Sequence, residues 1–152
     1  MIRIALDTNI LAYLAGVARL TADAPKVAQV RSLMAGISGQ VQVLVPVQAL
    51  GELFVVLSRA GTPAPEARAI LLEFADALEV LESSASVMKA ALDLVVDHKL
   101  QYWDALILSA AAEAGATLLL SEDMQDGFVW RGVTLANPFA ATPHRKLAAL
   151  IG

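Results

Sequence analysis

A long apolar stretch near the middle of the chain has a carboxylate at each end. Asp104 opens residues 105–112, which are apolar apart from Ser109 and predict a buried helix. Asp123 follows residues 118–120, a run of leucines typical of a central parallel strand. An unpaired carboxylate in a core costs several kcal/mol or takes up a proton, so stability gives no reason for these acids. In a doubly wound α/β fold, helix N-termini and the carboxyl ends of parallel strands share one edge of the sheet, so we expect both acids to face one crevice.

Two further acids lie close to the ends of predicted strands. Asp7 comes directly after residues 3–6, a short apolar strand, although an Asp in this position often only caps the next helix. Glu52 lies in an apolar helix that follows the strand at residues 41–45, and it has no basic residue at i+3 or i+4. An isolated Glu of this kind is more often a surface residue. Together, however, four carboxylates at one sheet edge would repel each other unless divalent cations were bound between them.

The residue types of this cluster indicate which ion it would bind. The chain has no cysteine, and its two histidines, His98 and His144, have no further ligand at metal-binding spacing, so surface or capping roles are expected for both. Ligation by oxygen alone suits Mg²⁺ or Mn²⁺ rather than zinc. Such a cluster is suited to two-metal phosphodiester hydrolysis, in which one ion lowers the pKa of the attacking water and the other stabilises the leaving oxygen.

The elements that would position these acids alternate between strand and helix. This alternation predicts an α/β fold with a parallel sheet, in one domain over residues 1–152 that buries about 70% of its unfolded surface. The predicted strands are 3–6, 41–45, 80–81, 118–120 and 131–135, and the main predicted helices are 24–37, 47–59, 65–78, 86–98 and 104–113. The tail from His144 to Gly152 is predicted to be peripheral.

The composition favours a protein whose surface is partly covered by another chain. Apolar residues make up 57% of the sequence and the mean hydropathy is +0.62, so we expect oligomerisation or a partner, with residues 24–38 and 64–78 as plausible interface helices. No run is apolar enough to span a membrane, and the absence of cysteine suits a reducing compartment, so a cytoplasmic location is expected. The net charge of -4 argues against a nucleic-acid ligand. If the four clustered acids bind divalent cations, however, the remaining 11 acids are balanced by 11 bases, and the site no longer repels phosphate.

The motifs that contain these acids resemble the PIN domain, specifically the VapC-type ribonuclease toxins of type II toxin-antitoxin systems. The resemblance runs from residue 3 to about residue 137, and the four motifs together are specific. The motifs are Asp7-Thr8-Asn9, Gln48-x-x-x-Glu52, Tyr102-Trp103-Asp104-Ala-Leu-Ile and Leu-Ser121-Glu-Asp123-Met.

This resemblance implies a three-layer architecture, with a central twisted parallel sheet of four to five short strands flanked by helices. It implies Mg²⁺- or Mn²⁺-dependent endonucleolytic cleavage of RNA, a homodimer, and neutralisation by a small antitoxin protein. One departure is Gly51, which loosens the helix that carries Glu52 by up to about 1 kcal/mol. By the resemblance, the catalytic and metal-binding acids are Asp7, Glu52, Asp104 and Asp123, with Thr8, Asn9 and Ser121 as polar support.

Other classes of protein share some of these sequence features. A haloacid-dehalogenase-type phosphotransferase needs a second Asp where this chain has Asn9, and a structure-specific DNA nuclease related to PIN domains needs additional helices. A PIN ribonuclease of RNA processing without an antitoxin, and an inactive PIN module that only binds, both stay open. Which RNA would be cut is not encoded in any motif. The candidates for RNA contact are Arg19, Arg59, Lys99, Tyr102, Trp103 and Arg131.

Overall fold

The computed structural model describes residues 1–152 and shows a mostly parallel sheet between two layers of helices. The strands are β1 (Ile2–Leu6), β2 (Val41–Pro46), β3 (Glu79–Leu81), β4 (Leu118–Leu120), β5 (Val129–Trp130) and β6 (Val133–Ala136). The helices are α1 (Thr8–Leu14), α2 (Ala24–Ile37), α3 (Val47–Arg59), α4 (Ala64–Ala77), α5 (Ala85–His98), α6 (Tyr102–Glu113) and α7 (Arg145–Ile151), with a 3₁₀ turn over Thr21–Asp23. The predicted three-layer α/β class is confirmed.

The sheet has the strand order β3-β2-β1-β4-β6-β5. Five of these strands are parallel, and only the two-residue β5 runs antiparallel to β6. The sheet therefore has one strand more than the four to five predicted. Arg131 and Gly132, with φ of 46° and 83°, form the turn between β5 and β6, so the last strand begins at Val133 and not at Arg131.

The middle of the core consists of the central strands and α6. Residues 4–6 of β1 pair in register with Leu118–Leu120 of β4, and all six side chains are almost wholly buried. Residues 105–111 of α6 are also buried throughout, which confirms the predicted buried helix and strand. Burial of each large aliphatic side chain stabilises the fold by about 1.5 to 3 kcal/mol. This packing fixes the backbone at both ends of the segment, where Asp104 and Asp123 lie.

The carboxyl ends of β1, β2 and β4 lie at the same edge of the sheet because these strands are parallel neighbours. Asp7 follows β1, α3 follows β2, and Ser121 follows β4. The polar residues of three motifs are thereby brought to one edge, as the strand-end positions predict.

The C-terminal tail is not peripheral, and this prediction is wrong. Residues Arg145–Ile151 form α7, which packs on α2 and buries Leu147 and Leu150. His144 caps this helix by accepting a hydrogen bond from the Lys146 N–H, which agrees with the capping role expected for it. A helix of seven residues is marginal in isolation, so α7 forms because Leu147 and Leu150 pack on α2. The local sequence pattern does not show this contact.

We expect Gly51→Ala to stabilise the protein by up to about 1 kcal/mol. Gly51 is an exposed residue inside α3, and a Cβ atom added there meets no other atom within 4 Å. Alanine therefore gains helix propensity without a steric cost. Chemical denaturation of both proteins measures the difference. An equal or lower free energy of unfolding in the variant would contradict the helix geometry at this position.

Candidate active site

The four acids selected from the sequence come from four separate elements and line one cavity. Asp7 caps α1, Glu52 lies in α3, Asp104 lies in the first turn of α6, and Asp123 follows β4. The cavity that they line has a volume of about 300 Å³ and is called the acidic cavity below. Thr8, Asn9, Arg19 and Arg59 also line it.

Asp7 is the most buried of the four carboxylates. Only 4% of the residue is exposed, and no basic side chain forms an ion pair with it. Oδ1 accepts a hydrogen bond of 2.7 Å from the Thr8 N–H, and Oδ2 accepts one of 2.7 Å from the Ser121 hydroxyl. Burial outweighs these two hydrogen bonds and, with smaller contributions from the charges of Asp104 and Asp123, raises the pKa of Asp7 from 3.8 to about 7. An uncompensated charge of this kind favours a cation beside it.

Ser121 joins Asp7 to the turn that carries Asp123. Its hydroxyl donates to Asp7, and the same oxygen accepts weaker hydrogen bonds from the backbone N–H groups of Asp123 and Met124, at 3.3 and 3.2 Å. The residue is 1% exposed. A hydroxyl with these three partners fixes the backbone of the turn relative to the end of β1.

Thr8 and Asn9 each hold one of the other acids. The Thr8 hydroxyl donates to Glu52 Oε2 at 2.6 Å, and the Asn9 carboxamide donates to Asp123 Oδ2. Gln48, one turn before Glu52 in α3, makes a longer hydrogen bond of 3.4 Å to Glu52 Oε1. Of the three consecutive residues that begin at Asp7, the first and third therefore contact the turn after β4, and the second contacts α3. Gln48 belongs to the Gln48-x-x-x-Glu52 motif, and its i, i+4 spacing to Glu52 is the sequence signal for this contact.

Asp104 and Asp123 are only partly buried, and both have raised pKa values. For Asp104 the causes are burial, then the negative charges of Glu52 and Asp123. For Asp123 the causes are burial and the charge of Glu122, which Arg19 and Lys26 partly offset. The Asp104 N–H is capped by the Gln101 side chain, so its backbone is held while its carboxylate faces the cavity.

Two of the six candidate RNA-contacting residues lie at the acidic cavity. Arg19 and Arg59 line it, and neither forms an ion pair with an acid. Lys99 instead lines a second cavity, described below. Arg131 is engaged elsewhere, 3.8 Å from Asp93 and stacked on Trp130. The two remaining candidates, Tyr102 and Trp103, pack edge-to-face with each other at the start of α6.

A cluster that the sequence did not reveal supports the turn that carries Asp123. Glu122 accepts hydrogen bonds from the buried Tyr13 hydroxyl and, at 2.6 Å, from the Lys26 ammonium, which also lies 3.1 Å from Asp23. The Lys26 ammonium lies over the Phe139 ring, 4.9 Å from its centroid. Tyr13, Lys26, Glu122 and Phe139 come from α1, α2 and two loops, and local spacing relates only Lys26 to Asp23, at i, i+3. Their positions fix Glu122, the residue directly before Asp123.

We expect Tyr13→Phe to destabilise the protein by about 1.5 to 3 kcal/mol, the usual contribution of a hydrogen bond to a charged group. The Tyr13 hydroxyl is buried against Glu122, so the variant leaves one carboxylate oxygen without this donor. Thermal unfolding at neutral pH measures the loss. Tyr102→Phe is the matched control, since the Tyr102 hydroxyl makes no hydrogen bond within the protein. Equal melting temperatures for all three proteins would show that Tyr13 does not support Glu122.

The donor set of the acidic cavity suits a hard divalent cation. All of its acidic groups are oxygen donors, and Asp7 lacks a positive partner. In the structure no three acidic or histidine side chains converge closely enough to ligate one ion. Glu52, Asp104 and Asp123 are all partly accessible, so their side chains have room to turn toward Asp7. The residues therefore fit a cation by their chemistry, and binding requires these three side chains to converge.

A parallel sheet with an acidic cavity at its carboxyl edge places the chain among the α/β proteins whose site is built from carboxylates. The sequence pattern of the PIN domain matches residues 4–125, and the chain therefore belongs to the PIN domain family. No curated protein sequence matches the chain.

Solved structures of other proteins share the fold, among them a toxin and two toxin-antitoxin complexes. Mycobacterium tuberculosis VapC20, a sarcin-ricin loop cleaving toxin, is 24% identical, with 76% of this chain and 86% of that chain covered and a TM-score of 0.61. A toxin-antitoxin complex from Klebsiella pneumoniae is 19% identical, with 90% and 98% covered and a TM-score of 0.64. VapBC2 from Rickettsia felis, bound to a DNA fragment from its promoter, is 18% identical, with 80% and 89% covered and a TM-score of 0.63.

Proposed function

We propose that this protein is a Mg²⁺- or Mn²⁺-dependent endoribonuclease that hydrolyses RNA phosphodiester bonds. The observation that carries the proposal is that Asp7, Glu52, Asp104 and Asp123, from four separate elements, line one cavity in which the buried Asp7 has no cationic partner. Membership of the PIN domain family supports the same activity. The composition of the cavity is that expected for carboxylate-based phosphodiester hydrolysis.

Each residue of the acidic cavity has a distinct task in this proposal. The four acids would hold the divalent cations, which when bound lower the pKa of the attacking water and stabilise the charge on the leaving oxygen. Ser121, Thr8 and Asn9 orient three of these acids through the hydrogen bonds described above. The guanidinium groups of Arg19 and Arg59 are free to bind the phosphate oxygens of the RNA on either side of the cut bond.

Metal-dependent cleavage of RNA by the purified protein tests the activity. The protein is freed of metal with EDTA, and a fluorescently labelled single-stranded RNA is then incubated with it in the presence of Mg²⁺, Mn²⁺ or EDTA. We expect internal cleavage with either cation and none with EDTA. Cleavage in EDTA, or none with any cation, would contradict the proposal. The absence of cleavage with every cation would favour the inactive module that only binds. Cleavage of the equivalent DNA at the same rate would exclude specificity for RNA.

We further propose that this nuclease is the toxin of a toxin-antitoxin pair. The support comes from the shared fold of VapC20 and of two toxin-antitoxin assemblies. Induced expression should then arrest growth, and co-expression of a small protein encoded beside it should restore growth and co-purify with it. Metal-dependent cleavage without growth arrest and without such a neighbour would instead indicate a PIN ribonuclease of RNA processing.

A homodimer is part of this proposal. Several large apolar side chains on the helices are well exposed in the single chain, among them Val55, Leu72, Leu92 and Val96. They lie on α3, α4 and α5, and α2 has none. Of the two interface helices named from the sequence, the structure therefore favours α4. A monomeric mass in light scattering at micromolar concentration would contradict the dimer.

No helix is both long and apolar enough to cross a bilayer.

A further inference from the structure

A second cavity adjoins the acidic cavity and shares two of its acids. It has a volume of about 320 Å³ and is called the adjoining cavity below. Asp104 and Asp123 line both cavities, so these two carboxylates form the boundary between them. The remaining lining comes from the end of α5, the segment before α6, the loop after Asp123, and Leu135 of β6. A polymer bound across the acids would enter the adjoining cavity directly.

The adjoining cavity contains polar side chains that the fold does not use. Lys99 forms no ion pair and the Gln125 carboxamide makes no hydrogen bond within the protein, whereas the Gln101 side chain is occupied in capping α6. Lys99 has φ of 58° at the end of α5, where glycine is the least strained residue. The cavity therefore has one positive charge and one amide that are both free for a ligand.

An apolar face lies in the same cavity. The half-buried Phe128 ring packs against the His98 ring, with 5.1 Å between their centroids, and both residues line the cavity. Aromatic rings in such positions are the usual platform for unstacked nucleobases. The volume lies at the lower end of the range of about 300 to 1,000 Å³ found for small-ligand clefts, which suits one nucleotide rather than a helix.

We infer that the adjoining cavity binds the nucleotide next to the cut bond of a single-stranded RNA. Because the phosphate of the cut bond lies at the four acids, the ribose and base of this nucleotide enter the adjoining cavity and lie against Phe128. Gln125 hydrogen-bonds the base edge. Lys99 binds the following phosphate. The inference rests on the proposed nuclease function, because the cut bond is what fixes the polymer across the two cavities.

The test compares Lys99→Gln and Gln125→Ala, alone and combined, with the wild type. Both residues are exposed, and neither side chain contributes a hydrogen bond or an ion pair to the fold. Lys89→Gln is the matched control. Lys89 is an exposed lysine of α5, the helix that Lys99 caps, and Lys89 itself lines neither cavity. Initial rates on a labelled RNA of one sequence give KM and kcat. Sequencing of the product ends from an RNA pool with a randomised stretch gives the base preference at each position.

We expect each single variant to raise KM about three- to tenfold with kcat nearly unchanged, the range expected for one lost hydrogen bond. Gln125→Ala should relax base preference at a single position beside the cut and leave the other positions intact. Lys99→Gln should lower the slope of log affinity against log salt concentration by about 0.7, the contribution of one phosphate contact to a single strand. Unchanged KM and unchanged preference in the double variant would overturn the inference.

A binding measurement separates failure of this inference from failure of the proposed function. A short fluorescein-labelled single-stranded RNA is titrated with each protein, with Ca²⁺ in place of Mg²⁺, and fluorescence anisotropy is recorded. If the wild type does not cleave RNA, the nuclease proposal fails. Weaker binding by the double variant than by wild type and Lys89→Gln would still support a nucleotide site. Equal binding by all proteins, or no binding by any, would overturn it.

Discussion

Replacing Asp7 with Asn should reduce metal-dependent RNA cleavage at least about a thousandfold while the protein stays folded. Bound cations contribute several kcal/mol to such reactions, and about 1.4 kcal/mol corresponds to a factor of ten in rate. Asn has nearly the same shape as Asp and keeps an oxygen that can accept from the Thr8 N–H. The variant loses the charge that the structure leaves without a cationic partner, and with it the acceptor of the Ser121 hydroxyl. Initial cleavage rates at saturating Mn²⁺ measure the effect.

The matched control for this substitution is Asp76→Asn. Asp76 is exposed on α4 and lines none of the cavities discussed here. The Asp76→Asn protein should cleave RNA at the wild-type rate. Circular dichroism should show that the wild type and both variants are folded alike. An Asp7→Asn protein that retains metal-dependent cleavage within tenfold of wild type would remove Asp7 from the metal-binding set. Asp7 would then be only the cap of α1, the ordinary explanation considered from the sequence.

The free energy of unfolding of the metal-free protein should fall by about 3 kcal/mol as the pH rises from about 4 to about 7, because of Asp7. The pKa of Asp7 is raised from 3.8 to about 7 in the folded protein, so the folded state binds the proton more tightly than the unfolded state does. The contribution of this group to stability is therefore fully present below pH 4 and lost as the pH rises through 7. A shift of one pKa unit corresponds to about 1.4 kcal/mol. Denaturant unfolding in EDTA at several pH values measures the slope.

Asp7→Asn isolates this effect from every other titrating group. The variant has no carboxyl at position 7, so its advantage over the wild type should be small at pH 4 and grow toward pH 7. Asp76→Asn should follow the wild type at all pH values. If the free energies of unfolding of the wild type and Asp7→Asn fell in parallel with pH, ionisation of Asp7 would not destabilise the folded protein.

Divalent cations should reverse the loss in the wild type. An ion that binds only the folded state adds RT ln(1 + [L]/Kd), about 2.7 kcal/mol at a hundredfold excess over Kd. The increase in melting temperature with Mn²⁺ at pH 7 should therefore be large for wild type and small for Asp7→Asn. An equal increase in both proteins would place the ion elsewhere on the molecule.

The sequence determined the class of fold and predicted which acids come together at one edge of the sheet. Strands and helices were recognisable because each is encoded by local apolar spacing, and the buried segment between Asp104 and Asp123 is the clearest case. The acids were recognisable because parallel strands bring their carboxyl ends to one edge, so a strand-end position in the sequence already predicts a position in space. Asp7, Glu52, Asp104 and Asp123 all line the predicted crevice.

Only the tertiary structure decided which neighbour each side chain has. The Ser121 hydroxyl bonds Asp7 across a separation of 114 residues, and Glu122 is held by Tyr13 and Lys26 from two different helices. The adjoining cavity and the packing of α7 on α2 likewise depend on elements distant in sequence. Hydrogen bonds and packing contacts of this kind depend on the relative placement of whole elements, which local spacing does not encode. The raised pKa of Asp7 has the same origin, since burial by the assembled core is its largest cause.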